Sequence, residues 1–316
     1  MSIDRRITEA FATANGFDLE PHLVVLALMG SHSHGTYMPP TEPDAVDDID
    51  LMGFIVPPRE YHLGLPRWQH WTWQHDELDV VLYSFDKAVR LLLKSNPNIV
   101  GLLWLRDQEY LYRADVFDLI AQRRSIFSSL AAAESFAGYA YDQLNRMEAF
   151  DLERMDEYER LTGAIQARGP ISEVLEADAA KLRHLATTWP IDLEVLRRFR
   201  KLHQSHFSGY MGEKRKAMVR KYQYDVKNAA HLIRLLRMGT EFLRTGSLQV
   251  YRTKDADELK AIKRGEWTLE EVKAEAERLF HGIEEARVAS TLPPEPDVVA
   301  ANTLLMAVHE RVLGIS

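Results

Sequence analysis

Gly30-Ser31 closes one apolar run, Leu23 to Met29, and, separated from Ser31 by sixteen residues, the stretch Asp48-Ile49-Asp50-Leu51 opens a second, Ile49 to Val56. If the second run is a strand, its period of two puts Asp48 and Asp50 on one face and Ile49 and Leu51 on the buried one. Two carboxylates side by side repel unless a cation lies between them. A hard divalent ion such as Mg²⁺ (or Mn²⁺) is commonly held by one or two carboxylates, with substrate phosphates completing its shell. Asp79 sits in a third candidate strand, Glu77 to Phe85, which alternates Asp79, Val81, Tyr83 and Phe85 against Leu78, Val80 and Leu82. Three such carboxylates suffice for a two-metal site, and Asp79 is also placed to take a proton from an attacking hydroxyl. Gly30 lets backbone approach a phosphate and Ser31 adds a hydroxyl donor. An isolated Gly-Ser or Asp-x-Asp means little. Their order, each piece attached to its own strand, is what makes the set specific.

The elements that position these residues change character along the chain. The first part mixes short apolar runs with turn signals; Asp86 is the expected cap of a helix reaching Lys94, and Asn96-Pro97 starts another. From Ser128 the pattern is helical, stopped first at Gly169-Pro170 and continuing near 173–187, 192–206, 212–243, 255–264, 268–288 and 297–313, with Pro-rich 291–296 as a stiff linker. The expected class is α+β: a catalytic α/β domain over 1–125, then a helical domain over 126–316 that contributes to nucleotide and acceptor binding. In the helix around 224–237, Lys227, His231 and Arg234 fall within about 60° of one another, opposite Ala229, Leu232, Ile233 and Leu236. This cationic stripe suits triphosphate oxygens. It belongs to the most basic part of the chain: Arg197 to Arg237 carries twelve Lys or Arg against Glu213 and Asp225, leaving −18 across the rest of a chain of net charge −8. Lys214, Arg215, Lys216, Arg220 and Lys221 would extend the stripe toward a longer anion, such as an RNA acceptor.

Composition narrows the chemistry further. With no cysteine among 316 residues, disulfides, thiolate zinc sites and thiol nucleophiles are excluded together. No run of eighteen apolar residues occurs and the opening MSIDRRITEAFATANGF lacks the apolar core of a signal peptide, so a cytoplasmic protein without membrane contact is expected. The pair His32 and His34 keeps open a metallohydrolase built with Asp48 and Asp50. His62, His70 and His75, among Trp68, Trp71 and Trp73, read as structural or surface residues. No GxxxxGK[ST], HExxH or GxSxG is present.

Met29-Gly30-Ser31 with Asp48-Ile49-Asp50-Leu51 resembles the signature of the DNA polymerase beta superfamily of nucleotidyltransferases. More narrowly, GSHSHGT, DDIDLMGF, LDVVLYSFDKAVRLLLKSNPNIVGLLWL and YDVKNAAHLIRLLRMGTEFLRTGSLQV are similar to the nucleotidyltransferases associated with bacterial and phage RNA repair. The resemblance implies a mixed sheet, Mg²⁺ on Asp48, Asp50 and Asp79, and a nucleoside triphosphate donor that gives up pyrophosphate. The loop between Ser31 and Asp48 is longer than the superfamily's, with an insertion near Pro39-Pro40-Thr41-Glu42-Pro43. The acceptor stays open at this level: an RNA or tRNA end, a protein hydroxyl or a small molecule. So do the choice of triphosphate, the oligomeric state and the alternative of an inactive nucleotide- or RNA-binding module.

Overall fold

The computed structural model describes residues 3–39, 41–42, 45, 48–148, 152–204 and 213–315, with the side chains of Glu148, Leu152, Glu213 and Lys214 left out. Helix α1 (Arg5–Asn15) starts at Asp4, whose carboxylate accepts the Arg6 N–H, and ends at Gly16 with φ of 75°. Five strands follow: β1 (Leu23–Leu28), β2 (Ile49–Ile55), β3 (His70–His75), β4 (Leu78–Ser84) and β5 (Tyr110–Arg113). They form one sheet in the order β3-β4-β2-β1-β5. The β2–β4 pair is parallel and the others are antiparallel, so the sheet is mixed. In the first part of the chain lie the short helices α2 (Gly30–His34), α3 (Glu60–Leu63), α4 (Phe85–Leu92), α5 (Pro97–Val100) and α6 (Phe117–Gln122). Then come α7 (Ala131–Glu148), α8 (Leu152–Gln166), α9 (Ile171–Leu175), α10 (Ala179–Thr188), α11 (Leu193–Leu202), α12 (Glu213–Tyr222), α13 (Val226–Thr245), α14 (Ala256–Lys263), α15 (Leu269–Ala289) and α16 (Val298–Leu313). The fold is α+β.

Two compact units divide the chain: residues 1–144 with 229–316, and residues 145–228. This division differs from the change of sequence character at 125–126, because residues 229–316 fall in the same unit as the sheet. In the larger unit, one sheet face buries Leu26, Leu51, Ile55, Leu78, Val80 and Leu82 against Ile7 and Phe11 of α1. Trp68, Trp71 and Trp73 cover the edge of this core, and Trp68 Nε1 donates to Asn15. The sequence reads His70 and His75, among the tryptophans, as structural or surface residues and assigns residues 70–75 to no element. They are strand β3 because Trp71 and Trp73, two apart, face inward together. In the smaller unit α8, α9, α10 and α11 enclose Leu161, Ile165, Val174, Leu196 and Phe199.

Several element ends move from their expected places for local reasons. Ser84, not Asp86, caps α4, its hydroxyl accepting the Lys87 N–H. The expected helix 212–243 is α12 and α13, broken where Gln223 takes a φ of 65° and Asp225 accepts the N–H groups of Lys227 and Asn228. Likewise 173–187 is α9 and α10, restarted by the Asp178 cap.

Candidate active site

Asp50 and Asp79 are register partners on the parallel strands β2 and β4, and so project side by side from the face opposite α1. Asp48, exposed, immediately precedes β2, whose pairing starts with the Ile49 N–H donating to Glu77 O at 2.7 Å. On the other side of Asp50, β1 continues to Met29, whose N–H donates to Asp50 O at 2.8 Å. Gly30 comes next, with φ of 56°, and a Cβ built there would lie 1.8 Å from Asp50 Oδ2. Only glycine satisfies both the backbone angle and the contact. Ser31 Oγ is buried and has no hydrogen-bond partner among the described residues, which leaves a hydroxyl for something bound.

The turn that carries Ser31 is clamped by residues more than two hundred positions away. His34 Nδ1 donates to Val250 O at 3.1 Å, the Arg252 N–H donates to His34 O at 3.0 Å, and Lys263 Nζ donates to Thr36 O at 2.9 Å. Gly35, at φ 71°, lies flat on the Tyr251 ring, which a Cβ would meet at 2.8 Å. Arg106 stacks 3.3 Å from the centroid of that ring and pairs with Glu109. Arg106, Tyr251, Arg252 and Lys263 were not foreseen, since no local pattern marks them as neighbours of Gly30-Ser31.

Charge around this turn is unbalanced. Burial holds the His34 imidazole well below its ordinary range, aided by the nearby Arg234, His231 and Arg252 and opposed by the Val250 hydrogen bond. Burial likewise, with Arg252 adding to it, pulls Arg234 down to about 9 against a smaller opposing pull from Asp255. Arg252 is held by Glu241 and Asp255, and Arg237 by Asp255, Glu258 and Glu275. Arg234, one turn before Arg237, has only the Met238 sulfur at 3.2 Å among the described residues. A partly buried guanidinium without a carboxylate among the described residues, close to His34 on the turn that carries the partnerless Ser31 hydroxyl, suits an anion.

His231 and Arg234 thus lie in the same unit as Gly30, Ser31, Asp50 and Asp79. Lys227 belongs to the smaller unit, at the start of α13. The basic residues of α12 are largely answered by acids. Arg215 pairs with buried Asp225 at 2.8 Å and donates to Asn228, Lys216 lies 3.6 Å from Glu159, and Arg220 pairs with Asp156 and Glu159. Lys221 stands 4.8 Å from the Tyr222 ring, and the Lys214 side chain lies outside the described residues, as do Pro40 and Pro43 of the inserted loop.

The donor set fits Mg²⁺ or Mn²⁺ in chemistry and register: hard oxygen ligands, two of them facing each other across a parallel pair and a third two residues before Asp50. Among the described residues no three His, Asp or Glu side chains stand close enough to share one ion as placed. His32 and His34 lie about 200° apart on the α2 turn. His34 is tied to Val250 and His32 stacks on Tyr37 at 3.8 Å, so the two rings do not converge.

A Gly-Ser turn packed on an Asp-x-Asp strand, with a third aspartate on its parallel neighbour, is the arrangement of a polymerase-beta-like nucleotidyltransferase fold. The model of the RNA repair pathway DNA polymerase beta family (RlaP) matches residues 5–160, the segment that holds Gly30, Ser31 and all three aspartates. No curated protein matches the chain. The crystal structure of a nucleotidyltransferase-like protein from Exiguobacterium sibiricum is similar over 97% of this chain and 78% of that one, at 9% identity and a TM-score of 0.26. Among the described residues no helix is long and apolar enough to cross a membrane.

Proposed function

We propose that the protein transfers a nucleoside monophosphate from a nucleoside triphosphate to an acceptor hydroxyl at an RNA end, with pyrophosphate as the leaving group. The observation that carries this reading is the contact of Gly30 with the Asp50 carboxylate while Asp79 stands in register beside it. Asp48, Asp50 and Asp79 would hold Mg²⁺ or Mn²⁺, which when bound supplies neutralisation of the triphosphate charge. Ser31 and the backbone at Gly30 bind phosphate oxygens, Arg234 offers a guanidinium fork, and His231 adds a donor on the same helical face. Asp79 receives the acceptor's proton. RNA as acceptor is supported by the family matched over residues 5–160. The helical segments after residue 125 contribute to binding through α13 and the 250–263 clamp.

The test is incubation of the protein with each labelled triphosphate and Mg²⁺ or Mn²⁺, with RNA, protein and small-molecule acceptors compared. Label on an RNA end, lost in Asp50→Asn, supports the reading. Label only on protein or a small compound removes the RNA acceptor. No transfer from any triphosphate removes the enzyme.

A further inference from the structure

We infer that the acceptor enters on the β4–β3 side of the carboxylates, as a single-stranded RNA end stacked on Tyr83 and His70 with its phosphates along Lys87, Arg90 and Lys94. This rests on the nucleotidyl transfer proposed above. Strand order supplies the first argument. Gly30-Ser31 follow β1, on one side of Asp50, whereas β4 and then β3 lie on the other. In phosphoryl transfer the attacking and leaving oxygens lie roughly in line on opposite sides of the phosphorus. With the polyphosphate at Ser31 and Arg234, pyrophosphate leaves on the β1 side and the hydroxyl arrives over β4. Its oxygen bonds to the α-phosphorus as the α–β phosphoanhydride bond breaks. The bonding electrons leave with pyrophosphate, and the hydroxyl proton passes to the Asp79 carboxylate.

The surface beyond Asp79 supplies the second argument. Asp79 and Tyr83 share a face of β4 and stand about 13 Å apart at 3.3 Å per residue. His70 of β3 is the register partner of Tyr83, and the two rings are within 18° of parallel with centroids 6.3 Å apart. His70 is exposed and Tyr83 half-buried. Lys87 Nζ lies 5.1 Å from the Tyr83 centroid. Arg90, exposed, follows Lys87 within about 60° of it on α4, opposed by Asp86 at 4.0 Å, and Lys94, also exposed, lies in the turn just past the end of that helix. An aromatic pair followed by a row of cations is what a single strand uses, with bases to stack and phosphates to neutralise. Arg215, Lys216 and Arg220 of α12, in contrast, face Asp225, Glu159 and Asp156.

The test is binding of a short fluorescent single-stranded RNA with a free 3′ hydroxyl to the full chain across a salt series, beside triphosphate binding and a thermal melt for each variant. His70→Ala should weaken RNA binding roughly tenfold, as loss of one stacking partner does. Lys87→Gln should flatten the logarithmic salt slope by about 0.7, one phosphate's worth. Tyr83→Phe, which keeps the ring, should leave RNA affinity unchanged, and triphosphate affinity should be unchanged throughout. Unaltered RNA affinity and slope in His70→Ala and Lys87→Gln, with labelled nucleotide still transferred, would overturn this inference alone. So would losses confined to Lys216→Gln and Arg220→Gln. Absence of triphosphate binding by the unsubstituted protein would remove the transfer reading itself, and this inference with it.

Discussion

Arg234 and Arg237 lie one turn apart on α13 and have opposite surroundings: three carboxylates around Arg237, a thioether sulfur beside Arg234. The unbound protein therefore holds a partly buried guanidinium with no carboxylate beside it among the described residues. Arg234→Met should raise the stability of the unbound protein by at least about 1 kcal/mol, since an uncompensated buried charge is removed. The same change should weaken triphosphate binding by about 1.5–3 kcal/mol, the worth of a hydrogen bond to a charged group. Thermal melts with and without triphosphate measure both effects, and a variant that keeps the full ligand-induced shift would exclude Arg234 from the site. Asp50→Asn and Asp79→Asn should each lower turnover about a hundredfold or more at saturating metal, because a charge acting in the transition state is lost at constant volume. Near-normal turnover in both would reject the carboxylate site.

At the scale of elements, α2 is held by the 250–263 segment through an imidazole that is buried and neutral. The unfolded chain protonates His34 near its ordinary value of about 6.5 while the folded chain, with its pKa lowered, does not. Stability from this group is thus complete above pH 6.5 and is lost as pH falls below it, by up to about 1.4 kcal/mol per pH unit. His22 and His309, also lowered by burial, add to the slope. His34→Asn, which keeps a side-chain N–H for Val250, should flatten the fall of melting temperature between pH 7 and pH 5; an unchanged slope would mean that the clamp does not exclude the proton. In the smaller unit Asp225 both starts α13 and neutralises Arg215. Asp225→Ala should cost about 3–5 kcal/mol by leaving a guanidinium unanswered, and a urea titration that moves by less than 1 kcal/mol would show the pair to be dispensable.

For the whole molecule, the larger unit takes its last 88 residues, 229–316, from the far side of the smaller one. A fragment of residues 1–125 should therefore show no cooperative melt, having lost Val250, Arg252 and Lys263 from the Gly30–Thr36 turn; a sharp transition near that of the full chain would make the helices dispensable for folding. The parallel register of β2 and β4, which sets Asp50 beside Asp79, was decided by the fold; the sequence by itself determined the α+β class, the apolar runs of β1 and β2 and the alternation of β4. These follow from strand period and from neighbours in the chain. It also marked Lys227, His231 and Arg234 as one face of α13, by helical period alone. It did not reveal which cations stay unanswered. The surplus between Arg197 and Arg237 counts charges along the chain, whereas neutralisation depends on distance in space, where Glu159 reaches Lys216 and Arg220 and Glu258 reaches Arg237. Only the tertiary structure decided that Arg234 is the exception close to His34, because a Coulomb interaction and its desolvation depend on which residues come together on folding, here 34, 234 and 252.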